Sequence, residues 1–253
     1  MKISNQNYIQ PTFKGLNRVE WKNVSYFGNN VKLFKTIPVK NEILGNLSVG
    51  IRKYIDGGNR FIIEIKNALN KVFGQEIISI DSPQKPMYGF YIEVLPEYRK
   101  KSFRFGELLR LTSVMEMLEN KASQIEIKSK DSAIYFHAKY KFTPFEKNTD
   151  DSIRILKNIM NDPTKSFSDL KAKAKTTLQT LENNLHNIPV RQQLHLDIND
   201  LAEEYIQRAL KTSNIDAHSF NTSMYMRLTR ENIEKNKDFY NKLWAKYGID
   251  YKI

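Results

Sequence analysis

The sequence predicts an α/β protein of the α+β kind: a mixed, mostly antiparallel sheet flanked by helices, with a helical insertion and a helical C-terminal region. Three observations predict it. Alternating apolar runs broken by turn residues fill positions 60–95, the hydrophobic period switches from two to 3.6 just after Gly106, and residues 143–222 read at helical spacing. With 253 residues, 40% of them hydrophobic, the chain can bury a real core.

In chain order, residues 1–60 carry apolar bursts at Val24–Phe27 and Val31–Ile37. An amphipathic stretch, Glu42–Ile55, then reads as a helix stopped by Gly57 and Gly58. The runs RFIIEI (60–65), QEIISID (75–81) and MYGFYIEVL (87–95) read as strands of an antiparallel meander, with NALNKVFG and SPQKP as the turns. Phe105, Leu108, Leu109, Met115 and Leu118 then share one face of a helix reaching about Asn120, and QIEIK (124–128) is again a strand. A helix joining two strands through short connections makes 88–95 and 124–128 parallel neighbours in a right-handed crossover.

Helices follow at 151–160, 167–185 and 198–210, with Pro163 and Pro189 between them. The run SMYMRL (223–228) returns to the sheet. A last helix over 230–247 carries Ile233, Tyr240, Leu243, Trp244 and Tyr247 on one face. This reading divides the chain into a core of residues 1–142, a helical insertion or subdomain of 143–222, and a returning strand with a C-terminal helix over 223–253.

Forty Lys and Arg against 28 Asp and Glu give a net charge of +12, which favours anionic partners: nucleic acid, an acidic membrane surface or a phosphorylated small molecule. Part of that charge belongs to solvated helical faces such as KAKAK at 171–175. The absence of cysteine excludes disulfides, thiolate metal sites and a cysteine nucleophile, and points to a reducing, cytoplasmic setting. No apolar run has the length of a membrane span, and no secretory apolar core opens the sequence. His186 and His195 have no partner at metal-ligand spacing, so no metal is assigned.

The densest chemistry lies in IEVLPEYRKKSFRFGELLRL (92–111), where Arg99, Lys100, Lys101 and Arg104 crowd the loop between a strand and a helix. A helix N-terminus presents unpaired N–H groups and the positive end of its dipole, a natural seat for phosphates. Cations there are unfavourable by roughly 0.3–1 kcal/mol each, a penalty that a bound anion removes. With the Ser102 hydroxyl as a further donor, the loop suits a pyrophosphate.

The segment VLPEYRKKSFRFGELL, followed by IEIKSKDSAIYFHAKYKF, resembles the GNAT superfamily of acetyl-CoA-dependent N-acyltransferases. Val94, Pro96, Tyr98 and Arg99 match the start of the family pattern. Gly106, Leu108 and Leu109 match the end of its phosphate loop, and Ala133, Phe136, Lys139 and Phe142 match its short helix. The resemblance covers about residues 60–142. Counted back from Gly106, Arg104 stands where the family has its first glycine; counted forward from Arg99, the loop is two residues longer. Lys130, His137 and Lys141 stand at the asparagine, tyrosine and glycine positions of the short helix.

The resemblance implies acyl transfer from acyl-CoA, acetyl-CoA above all, to an amine acceptor by direct attack in a ternary complex. It implies CoA contacts from Val94 and Leu95, from the loop residues Arg99, Lys100, Lys101, Ser102, Phe103, Arg104, Phe105 and Gly106, and from Lys130. Glu93 is the candidate base and His137 the candidate proton donor to the leaving thiolate, with Tyr135 and Tyr140 as rivals pointing elsewhere around the helix. The alternative is a GNAT-like fold without chemistry that binds nucleic acid or a protein through its basic surface.

Overall fold

The chain is described here from a computed structural model, over residues 31–54, 59–99, 102–131, 133–212, 215–218, 220 and 222–253. Two long antiparallel strands come first, β1 (Val31–Asn41) and β2 (Gly45–Tyr54), followed by β3 (Arg60–Lys66), β4 (Val72–Ile80) and β5 (Met87–Val94). Helix α1 (Phe105–Glu119) leads to β6 (Gln124–Lys130), and α2 (Ala133–Lys139) to the two-residue β7 (Thr143–Pro144). Helices α3 (Thr149–Met160), α4 (Ser168–Asn183) and α5 (Ile188–Ala209) stand between β7 and β8 (Ser223–Thr229). The short α6 (Arg230–Lys235) and α7 (Lys237–Lys246) end the helical series.

These strands form one eight-stranded sheet in the order β1-β2-β3-β4-β5-β6-β8-β7. Every pairing is antiparallel except β5 with β6. The meander, the parallel pair and the returning strand stand where the sequence pattern puts them.

Two local expectations are corrected. Residues 45–54, read as part of a helix, are β2: the Asn41 side chain accepts hydrogen bonds from the Ile43 and Leu44 amides, both at 3.0 Å, and Gly45 takes φ 71°. That turn commits the chain to a hairpin, and Leu47, Val49 and Ile51 are buried at period two. Gly57, Gly58 and Val24–Phe27 lie outside the described residues. The single helix expected over 230–247 is broken at Asn236, whose φ of −115° ends α6.

Helix α1 is more deeply buried than a one-sided amphipathic pattern predicts. Every residue from Glu107 to Met117 is buried, because the sheet covers one side while α2 and the end of α7 close on its first turn. The core is continuous: Leu170, Ala174 and Ile198 of the helices after β7 belong to the same cluster as Leu108, Ile127 and Met226. No helix among the described residues is long and apolar enough to cross a membrane.

Candidate active site

The parallel pair parts early. β5 pairs with β6 only through Met87, Tyr88 and Gly89, against Ile125, Glu126 and Ile127. At the same point the register of β4 against β5 jumps, so that Phe90 is an extra residue between Gly89 and Tyr91. A bulge bends its strand and re-aims the residues beyond it. Past Gly89, β5 therefore stays with β4 and leaves β6.

That divergence decides which amides are available. The Leu95 amide donates to the Phe73 carbonyl at 2.9 Å, so this N–H, expected to face a ligand, is spent on β4. Bond direction alternates along a strand, and Val94 stands opposite Gly74. The N–H groups of Val94 and Ile92 therefore point away from β4, toward the opening. Ile92 escaped the sequence reading, because neither the bulge nor the phase of the ladder is written in residue type.

Arg99 folds back on the end of β5. Its Nε donates to the Val94 carbonyl at 2.8 Å, and its guanidinium stands 3.6 Å from Glu93 Oε1. Glu93 is buried on the face of the sheet turned from α1 and also accepts a hydrogen bond from the Tyr91 hydroxyl. Burial, then that bond, pushes the Tyr91 phenol well above its usual range.

The loop itself is fixed by rings. Phe103 stacks on Phe105 with centroids 5.8 Å apart, Tyr98 meets Phe103 edge-on at 5.2 Å, and Phe73 stacks on Phe105 at 5.4 Å. Ser102 and Arg104 are exposed; Lys100 and Lys101 lie outside the described residues. Beside this loop, Ser102, Phe103, Arg104, Asn41 and Tyr247 line a cavity of about 10 Å³, room for one water. Lys130 ends β6 opposite Ser223, on the sheet face turned from α1.

The first turn of α1 already holds an anion of its own. Glu107 accepts hydrogen bonds from Tyr140 at 2.5 Å, Tyr247 at 2.5 Å and Lys246 at 3.0 Å. Burial raises its pKa, but these bonds together outweigh it and hold the carboxyl below the ordinary 4.5. Gly106 is packed against the Phe136 ring, which an added Cβ would meet at 3.3 Å.

Arg104 and Lys141 stand where the resembled family has glycine, and both are left-handed, with φ 52° and 66°. The backbone here keeps the conformation that glycine adopts at no steric cost.

Beneath Gly89 lies a buried ion pair that the sequence reading missed. Arg110 of α1 reaches Glu76 of β4 at 2.8 Å, with the two side chains 3% and 0% exposed. The only signal was a lone Glu in an apolar strand and a lone Arg among the leucines of a helix. Gly89 is required above them, since a Cβ there would stand 2.9 Å from the Ile127 side chain. His137 lies in the same layer, its ring centroid 5.5 Å from that of Phe142 and its Nδ1 without a hydrogen-bond partner. Burial first, then the charge of Arg110, holds its pKa well below 6.5. Desolvation of this kind favours the neutral imidazole.

No protein-family model matches the sequence, and no curated protein matches it. Solved structures do. A GNAT family acetyltransferase from Elizabethkingia anophelis with acetyl-CoA bound is 14% identical at TM-score 0.31, the match covering 35% of this chain and 57% of that one. A GNAT family acetyltransferase from Staphylococcus aureus is 18% identical at TM-score 0.32, over 36% of this chain and 57% of that one. A nourseothricin acetyltransferase is 13% identical at TM-score 0.34, over 79% and 87%. This chain thus spans little more than half the length of the first two. The likeness concerns fold alone and, at these scores, carries no statement about activity. The arrangement in this chain is GNAT-like on its own geometry: a meander, a parted parallel pair, and a basic loop with a helix at the open end.

Proposed function

We propose that the protein is an N-acyltransferase, moving an acyl group, in the first instance acetyl, from acyl-CoA to an amine by direct attack in a ternary complex. The observation that carries this reading is the opening beyond Gly89, with the Ile92 and Val94 amides turned toward it at the carboxyl end of β5. Acyl-CoA supplies an activated thioester. The Val94 amide fits an amide-bearing chain laid along the strand, and the Ile92 amide fits a carbonyl oxygen that gains negative charge. Arg99, released from the Val94 carbonyl, and Arg104 supply positive charge for phosphates at the start of α1.

Glu93 is the proposed base. It takes the proton that the attacking amine loses, while the Tyr91 hydroxyl holds its carboxylate in place. His137, enclosed among rings, is given no proton-transfer role in this reading; the departing thiolate takes its proton from water. The cysteine-free composition supports a cytoplasmic setting.

Thiol release from acetyl-CoA with a panel of amines tests the reading. Glu93→Gln is expected to lower kcat by ~100-fold or more, in the range for loss of a general base, without loss of CoA binding. Unchanged kcat in that variant would remove Glu93 from the chemistry, and absence of turnover with every amine class would remove the activity.

A further inference from the structure

The sheet has a second face with chemistry of its own. Cross-strand partners share a face, so the register places Arg60, Ser79, Tyr88, Glu126, Arg227 and Thr143 in one row. Gly89 and Glu76, at alternate positions, meet Arg110 of α1. The row therefore points away from α1. In the next row Lys128 faces Tyr225. Phe90, the bulge residue, stands over the same face, its ring 5.8 Å from the Arg60 guanidinium.

Three large apolar side chains are exposed there: Tyr88 at 36%, Phe90 at 56% and Tyr225 at 38%. Exposed rings of this kind offer faces on which a flat ligand can stack. They do not form an apolar patch, because cations are set among them. Lys128 Nζ lies 4.8 Å from the Tyr225 ring, and Lys147 and Arg227 lie 4.0 and 4.1 Å from the ring of Phe145. The buried Nε of Arg227 has no hydrogen-bond partner. Four acids share the region: Glu126 accepts from Gln124, Asp151 pairs with Lys128 and Arg154, Glu146 accepts from the Lys147, Asn148 and Tyr225 amides, and Asp81 acts on Tyr88 from the strand end.

Flat rings interleaved with cations on an open sheet fit one class of partner. Unpaired bases stack on aromatic side chains, and their phosphates meet Lys and Arg. A duplex keeps its base faces stacked inside, out of reach of such rings. Tyr88 and Tyr225 are two strands apart and one two-residue step along, about 12 Å by ordinary sheet spacing, which a short run of unpaired nucleotides spans. We propose that this face binds single-stranded nucleic acid, with bases on Tyr88, Phe90 and Tyr225 and phosphates on Lys128, Lys147 and Arg227. The site stands whether or not the protein transfers acyl groups.

Fluorescence anisotropy with a labelled short oligouridylate, the matching duplex and heparin, over a range of salt, tests it on the full chain. The single strand is expected to bind more tightly than the duplex. Tyr88→Ala and Tyr225→Ala should each weaken it by roughly tenfold, the order expected for one stacked base, with Phe in either place retaining the affinity. Lys128→Gln should lower the salt slope by about one contact. A melting curve controls for folding. Absence of binding would overturn the proposal. Equal affinity for single strand, duplex and heparin with unchanged aromatic variants would also overturn it, leaving charge alone; so would RNA affinity unmoved when Tyr88, Phe90 and Tyr225 are all replaced by Ala, which would leave the rings to a protein partner.

Discussion

Replacing Glu76 by Leu strikes the point where the sheet opens. The carboxylate is fully buried 2.8 Å from Arg110, whose side chain is 3% exposed. Removing it leaves the guanidinium enclosed beside the Phe142 ring, 5.1 Å away, with Tyr240 and the His137 imidazole near it and its carboxylate partner gone. An uncompensated buried charge of this kind costs about 3–5 kcal/mol. Arg110→Met leaves the carboxylate stranded at a similar cost. The double variant, Glu76→Leu with Arg110→Met, removes both charges together and should fall within ~1 kcal/mol of the natural chain, since apolar pairs of similar volume replace such ion pairs at little loss. The expected coupling is therefore at least ~3 kcal/mol. Urea unfolding followed through the buried Trp244 measures it. Single variants that each lose less than ~1 kcal/mol, or a double variant whose loss is the sum of the two, would show that Glu76 and Arg110 do not depend on each other.

The left-handed residue at 141 gives a second prediction. Lys141→Gly should stabilise by up to ~1 kcal/mol despite its freer unfolded chain, whereas Lys141→Ala, which keeps the strain of φ 66°, should not; equal melting shifts in the two would contradict it. Glu107 gives a third. Its pKa is lowered on folding, so the stability it contributes is present above the unfolded value near 4.5 and is lost as pH falls through the folded one. Glu107→Gln should therefore lower stability at neutral pH while flattening the acid limb below about pH 4.5, read from denaturant midpoints across pH; an unaltered acid limb would show that Tyr140, Tyr247 and Lys246 do not hold that carboxylate.

Strands β3 to β6 and helix α1 were legible because period two and period 3.6 are local, and the parallel pair follows from the shortness of its connections. The stretch 42–55 satisfies both periods, so Asn41 and Gly45 decide it through a turn that composition leaves undecided. The basic loop was visible as charge. What neutralises its surroundings was not: Glu107 takes its partners from Tyr140, Lys246 and Tyr247, and Arg110 finds Glu76 on another element. His137 could be aligned by pattern, but its neutrality depends on burial beside a cation that only the packing reveals. The loss of the Leu95 amide and the gain of Ile92 depend likewise on ladder phase.

In the proposed reaction the opening between β5 and β6 receives acyl-CoA. Calorimetric titration with acetyl-CoA and desulfo-CoA, joined to hydrogen exchange of the same samples, tests it most directly. Both are expected to bind at micromolar concentration, with slowed exchange at the Ile92 and Val94 amides and little change at Leu95, which is already bonded to Phe73. No binding, or binding that leaves Ile92 and Val94 exchanging as before, would contradict it.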